Sequence, residues 1–197
     1  MKILAVIPAR GGSKRLPDKN LTKVGALTLI QRCKESINGI HEIQDIILSS
    51  DSDKIIEHAI EIGLLAPWVR PSNLSGDKAK SSDVVIHALN WYEFNITKVD
   101  AVLLLQPTSP FRKKSSIEAG IKIMQNKSCD SVISVSKTHS HPAWSFKYED
   151  QYLKPFVEGD GINTRSQDLM PAYNAVSYTH LRAHETVLDL VCRLLLE

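Results

Sequence analysis

The apolar run Ile3-Leu4-Ala5-Val6-Ile7 has no polar alternation and stops abruptly at a loop holding Gly11, Gly12 and four cations. A strand that is apolar on both faces must be covered on both faces. This chain therefore has to bury the run inside a layered, parallel sheet. Gly11 and Gly12 let the backbone approach a ligand that a Cβ would block. Arg10, Lys14, Arg15 and Lys19 put positive charge around the same turn. A strand, a glycine turn and cations together suit a polyphosphate. The loop is not a Walker A box, because no Gly-Lys-Ser/Thr follows at the required spacing. It also lacks the third glycine of a dinucleotide fingerprint. A solvated basic loop is the alternative. It explains the charges, but not a glycine pair directly after a buried strand.

Further along, strand and helix patterns alternate. Leu27, Ile30, Cys33 and Ile37 have helical spacing over residues 27–37. Ile46-Ile47-Leu48 marks a buried strand at 45–49, and Ser50-Asp51-Ser52-Asp53 is a capping stretch before a helix at 55–63. Asp51 itself is a candidate for either a structural role or metal binding. Ser81-Ser82-Asp83 is expected to cap a helix that reaches about residue 94. Residues 100–105 read as a strand, stopped by Pro107 and Pro110. A helix at 115–125 and a strand at 131–136 follow. The expected fold is α/β: three layers around a mostly parallel, Rossmann-like sheet. From about Lys137 the rhythm breaks. Alternation over 146–153 around Glu149-Asp150 predicts a protruding β-hairpin outside the main sheet.

The length of 197 residues fits one domain with an appendage. The formal net charge of +2 gives no footprint for nucleic acid, and the cations gather instead in the first loop and at Arg112-Lys113-Lys114, as a small anion would require. Cys33, Cys129 and Cys192 are odd in number and form no CxxC, which argues against a disulfide framework or zinc knuckle. No apolar run reaches the roughly 20 residues of a membrane span or the pattern of a signal peptide. A cytoplasmic setting without membrane partners is expected.

Three segments carry a resemblance. They are Ala9-Arg10-Gly11-Gly12-Ser13-Lys14 with Pro17, Lys19 and Asn20; Leu104-Leu105-Gln106-Pro107-Thr108-Ser109-Pro110; and Asn163-Thr164-Arg165-Ser166-Gln167-Asp168-Leu169 with Pro171 and Tyr173. In this order they resemble the nonulosonate cytidylyltransferases, the CMP-sialic acid synthetase family. The resemblance implies a nucleotide-diphospho-sugar transferase-like fold and a transfer of CMP from CTP to a sialic acid-like sugar acid. It implies that Arg10, Lys14 and Lys19 act on the triphosphate, with Gly11, Gly12, Ser13 and Asn20 around it. Arg70, Ser81 and Gln106 are implied at the cytidine. Ser81 as a plain helix cap remains compatible with that role, because a helix N-terminus also binds anions. Arg165 and Gln167 are implied at the acceptor sugar, where an arginine fork suits a carboxylate; a surface salt bridge is the other reading of Arg165. Arg112 is expected to face the sugar acid or the phosphate. The hairpin is implied to be an arm reaching a second subunit of a homodimer. The expected organisation is a CTP-binding domain at 1–136, the arm at 137–162 and a return to the domain at 163–174.

The resemblance ends near residue 174. The Asn-Gly-Ala-Ile-Tyr strand and the later Asp-x-Asp pair that holds Mg²⁺ in the family are missing, so Mg²⁺ is implied but its ligands are not in this sequence. Residues 175–197 resemble a tail that recurs on unrelated sequences, of the kind a translated sequencing adapter produces. They are expected to lie outside the native fold, with helical character over 187–196, and the chain is expected to be inactive. His180, His184 and Glu185 are accordingly not read as a metal site, and no metal ligand is assigned. The alternatives are a pseudaminate, legionaminate or eight-carbon ulosonate (3-deoxy-manno-octulosonate-type) cytidylyltransferase, or a domain that binds CTP without catalysis.

Overall fold

The computed structural model describes residues 1–13, 16–127, 129–183 and 193–196, with side chains as far as residue 175 except that of Lys127. In chain order the elements are β1 (Ile3–Pro8), β2 (Lys23–Val24), β3 (Leu27–Thr28), α1 (Leu29–Ser36), β4 (Ile43–Ser49), α2 (Asp53–Glu61), α3 (Ser81–Asn95), β5 (Ala101–Leu105), α4 (Lys114–Lys127), β6 (Ser131–Lys137), β7 (Phe146–Glu149), β8 (Tyr152–Pro155), β9 (Tyr173–Ala183) and β10 (Arg193–Leu196). The main sheet has the order β10-β6-β9-β5-β1-β4. Strand β1 pairs in parallel with both β4 and β5, and β6 pairs in parallel with β10. Only β9 runs antiparallel to its neighbours in this sheet.

The two-sided burial of β1 sets the layers. Ile3, Ala5 and Ile7 pack with Ile30, Cys33, Ile55 and Ile121 on the face covered by α1, α2 and α4. Leu4 and Val6 pack with Val85, Leu89 and Tyr92 of α3 on the other face. All five residues from Ile3 to Ile7 are 0% exposed. At ~1.5–3 kcal/mol for each large aliphatic side chain taken from water, this strand is a major source of stability. Tyr92 carries a polar tip into that layer and donates it to Asp45 Oδ2. Burial first, and then the Asp45 carboxylate, push its phenol above the ordinary value.

The helix expected from residue 27 starts two residues later. Leu27 and Thr28 pair instead with Lys23 and Val24. Thr28 is the N-cap of α1, and its hydroxyl accepts from the Gln31 N–H at 3.1 Å while Gln31 Oε1 accepts from the Thr28 N–H at 2.8 Å. This is a capping box, written in the sequence as Thr-x-x-Gln. The hairpin β7/β8 forms a separate two-stranded sheet. Its turn uses Asp150 and Gln151, both at positive φ, 53° and 68°, as a two-residue type I′ turn requires.

The tail departs from expectation. Residues 175–183 belong to β9, which lies between β5 and β6 with Leu181 opposite both Leu103 and Val132. Arg193–Leu196 is a strand beside β6, not a helix. The physical reason is the same in both places: β5 and β6 present rows of N–H and C=O groups that only another strand satisfies. His180 therefore stands in a strand, and the helical i, i+4 spacing does not apply to it; His184 and Glu185 lie outside the described residues. Deleting residues 176–197 removes most of the strand between β5 and β6. We expect the truncated chain to lose cooperative thermal unfolding by circular dichroism. A truncated chain that melts like the full one would place the segment outside the fold after all.

Candidate functional site

In an open α/β sheet, ligands bind beyond the carboxyl ends of the strands, where the strand order reverses. That point here is β1, with β4 on one side and β5 on the other. A cleft of about 260 Å³ opens there, between the loop after β1, the loop after β5 and the segment leading into α3. Arg10, Ser13, Lys19, Asn20, Arg70, Ser81 and Gln106 all line it. Seven of the residues singled out from sequence are thus brought together from four separate stretches of chain.

The loop after β1 is held from below. The Ala9 N–H donates to Ser49 O at 2.9 Å, extending the β1–β4 ladder by one bond. The Gly11 N–H donates to Asp51 Oδ1 at 2.8 Å. Asn20, 6% exposed, donates its amide to Arg10 O at 2.9 Å. Asp51 is therefore a structural clamp on the glycine loop. The glycine requirement differs from the expected one. A Cβ on Gly11 would sit 2.8 Å from Ser52 Cβ, so the close approach is to α2's N-cap, not to a ligand. A Cβ on Gly12 would meet no atom within 4 Å.

Arg70 is the most constrained cation of the site. It is 6% exposed, and its Nε and Nη2 are buried without a hydrogen-bond partner. The Asp51 carboxylate lies 3.9 Å from Nη2. Burial pulls the guanidinium below its ordinary value, Asp51 raises it, and the neighbouring Arg10 lowers it again. A buried donor without a partner costs free energy, and an anion in the cleft would satisfy it. Beside it, α3 begins at the cleft wall. Its N-cap is Lys80, which makes no side-chain cap, so Ser81 is the first helical residue and not the cap. Gln106 follows β5, and the Thr108 hydroxyl lies 3.5 Å from its Oε1.

Some expected residues are not part of this cleft. Lys14 and Arg15 lie outside the described residues. Arg165 and Gln167 are exposed on the 164–168 segment and do not line it. Arg112 is not among the residues that line this cleft. It donates to Gln106 O at 3.0 Å and approaches Cys33 Sγ at 3.9 Å. Burial pushes the Cys33 thiol up, and Arg112 opposes that shift. One site residue escaped the sequence reading: Asp77, whose Oδ1 accepts from Arg10 Nη1 at 2.8 Å. Its signal was a carboxylate just before Lys78 and Lys80 in an otherwise basic stretch.

Two carboxylates, Asp51 and Asp77, stand beside the cleft arginines. Among the described residues no group of three or more His, Cys, Asp or Glu could hold an ion. Asp77 is engaged by Arg10, and Asp51 by Gly11 and Arg70. No helix among the described residues is long and apolar enough to cross a membrane.

The packing of Gly11 is directly testable. Gly11→Ala forces Ala Cβ against Ser52 and should cost about 1–3 kcal/mol, as overpacking does. With Ser52→Gly added, the nearest remaining Ser52 atom would be its Cα at 3.8 Å. The double variant should recover most of the loss in a urea melt.

A family model described as cytidylyltransferase matches residues 4–182. CMP-N,N'-diacetyllegionaminic acid synthase of Legionella pneumophila subsp. pneumophila is 38% identical over 151 residues, which are 77% of this chain and 65% of that protein. Pseudaminic acid cytidylyltransferase of Campylobacter jejuni subsp. jejuni is 34% identical over 176 residues, 88% of this chain and 75% of that protein. The chain thus spans about two thirds to three quarters of the length of these relatives. Among solved structures, CMP:2-keto-3-deoxy-manno-octonic acid synthetase complexed with CTP superposes with a TM-score of 0.70. That match covers 95% of this chain and 76% of the other at 17% identity, which speaks for the fold. The family match over nearly the whole described chain, together with a cleft at the switch point of the same fold, shows that this chain belongs to the cytidylyltransferase family.

Proposed function

We propose that the cleft binds CTP and that the reaction served is CMP transfer to a nonulosonic, sialic acid-like sugar acid. The observation that carries this reading is the convergence of Arg10, Lys19 and Arg70 on one cleft at the carboxyl ends of β1 and β5, with Arg70 buried and short of partners. The relatives act on legionaminic and pseudaminic acids by name, which favours a nine-carbon acidic sugar over the eight-carbon alternative. In the proposed step the anomeric hydroxyl oxygen attacks the α-phosphorus. A new P–O bond forms, the bond to the bridging oxygen breaks, pyrophosphate leaves and the hydroxyl proton passes to water. The chain's own part is to hold the triphosphate with Arg10, Lys19 and the loop amides, and to seat the base near Arg70, Ser81 and Gln106. Gln106 can donate and accept at one base edge. Lys14 belongs to the same proposal through its place in the loop motif. Arg165 and Gln167 are proposed at the sugar of an assembled dimer.

The dimer itself is proposed from the hairpin. Phe146, Tyr148, Tyr152 and Leu153 are all large, exposed and carried on a two-stranded sheet separate from the core. A second copy of the chain is the proposed occupant of that face. The proposed setting is cytoplasmic, which suits the free thiols of Cys33 and Cys129. A second reading is CTP binding without transfer.

Two outcomes follow. Alanine at Arg10, Lys19 or Arg70 should weaken CTP binding in calorimetry by about 1.5–3 kcal/mol each, and less so at high salt. Unchanged affinity in all three variants would remove the assignment. Gln106→Ala should shrink the preference for CTP over UTP more than it weakens pyrophosphate. Pyrophosphate release on mixing CTP, Mg²⁺ and sugar acid separates transfer from binding alone, and this chain is expected to bind without turnover.

A further inference from the structure

Two guanidinium groups share the cleft, and each has a carboxylate beside it. Arg70 has Asp51 at 3.9 Å, deep in the wall. Arg10 has Asp77 at 2.8 Å, at the mouth. The two pairs differ in character. The Arg70 side chain is 5% exposed, whereas those of Arg10 and Asp77 are 41% and 51% exposed. Asp51 is further committed to the Gly11 N–H and cannot leave without releasing the loop. Asp77 sits on the 75–80 stretch beside Gly76, where an added Cβ would meet nothing within 4 Å.

We propose that Asp77 is an internal counter-anion for Arg10: it neutralises the arginine in the empty cleft, yields it to the phosphates of an incoming nucleotide, and takes it back as pyrophosphate departs. This rests on the nucleotide reading given above. Without Asp77, Arg10 would stand uncompensated beside Arg70, and the two cations already oppose each other. An ion pair this exposed is weak and screened by salt, so a multiply charged anion displaces the carboxylate readily. The guanidinium can then turn its fork to phosphate, a better bidentate partner than one carboxylate oxygen. The backbone of Arg10 stays pinned by Asn20 while the side chain changes partner. The exchange keeps Arg10 paired with an anion in both states and keeps pyrophosphate from binding too tightly to leave.

The test is calorimetric titration of the full chain with inorganic pyrophosphate at fixed ionic strength. Asp77→Asn should tighten pyrophosphate by roughly threefold to fivefold, the size of one exposed ion pair. Asp77→Glu should restore the original affinity. In an Arg10→Gln background, Asp77→Asn should tighten pyrophosphate clearly less, because the carboxylate acts chiefly through that arginine. Unchanged or weaker binding in Asp77→Asn overturns the proposal. So does equal tightening with Arg10→Gln present, since the carboxylate would then only repel the anion. A wild-type chain that binds pyrophosphate but neither CTP nor UTP removes the nucleotide reading and leaves the exchange standing. One that binds neither pyrophosphate nor nucleotide removes both.

Discussion

The site depends on a short ladder extension at the end of β1. Strand β1 is buried on both faces and cannot move, and Ala9 continues its pairing to Ser49. Two residues later Asp51 takes the Gly11 N–H, and Asn20 takes the Arg10 carbonyl. These contacts pass the rigidity of the core into the loop. Each is an ordinary hydrogen bond, worth only about 0.5–1.5 kcal/mol net. Together they leave the Arg10 backbone one position relative to the cleft, so the chemistry of the loop reduces to where a few side chains point.

Electrostatics then divides the cleft into a fixed inner part and an adjustable outer part. Arg70 is buried, pinned near Asp51 and short of hydrogen-bond acceptors, which makes it a standing demand for an anionic or polar ligand. Arg10 and Asp77 are half exposed and cheap to separate. Arg70 is thus the enclosed cation of the cleft, and Arg10 the exposed one. The first turn of α3 stands at the same wall, and Lys80 makes no side-chain cap to it.

Much of this arrangement was legible in the sequence because it is local. An apolar run without alternation had to be a covered strand, and Gln106 with its two prolines had to end one. Asp51 was visible as a residue at a strand end, yet its role was not, because its partner Gly11 is 40 residues away. Asp77 was missed for the same reason: Arg10 lies 67 residues earlier, and nothing in the local pattern joins the two. Arg112 misled in the opposite direction. It follows a motif that lines the cleft, but the chain turns it back to the Gln106 carbonyl and Cys33.

The sequence by itself determined the layers, the cationic glycine loop after β1 and the family, because burial pattern, glycine and proline act within a few residues. The tertiary structure decided which carboxylate neutralises which arginine and why Gly11 is glycine. It also decided that residues 173–183 form a strand against their weak local pattern. Those outcomes depend on what lies opposite: Ser52 beneath a Cβ that is not there, Asp77 across a cleft mouth, and two strands whose unpaired backbone groups impose an extended conformation on the segment between them.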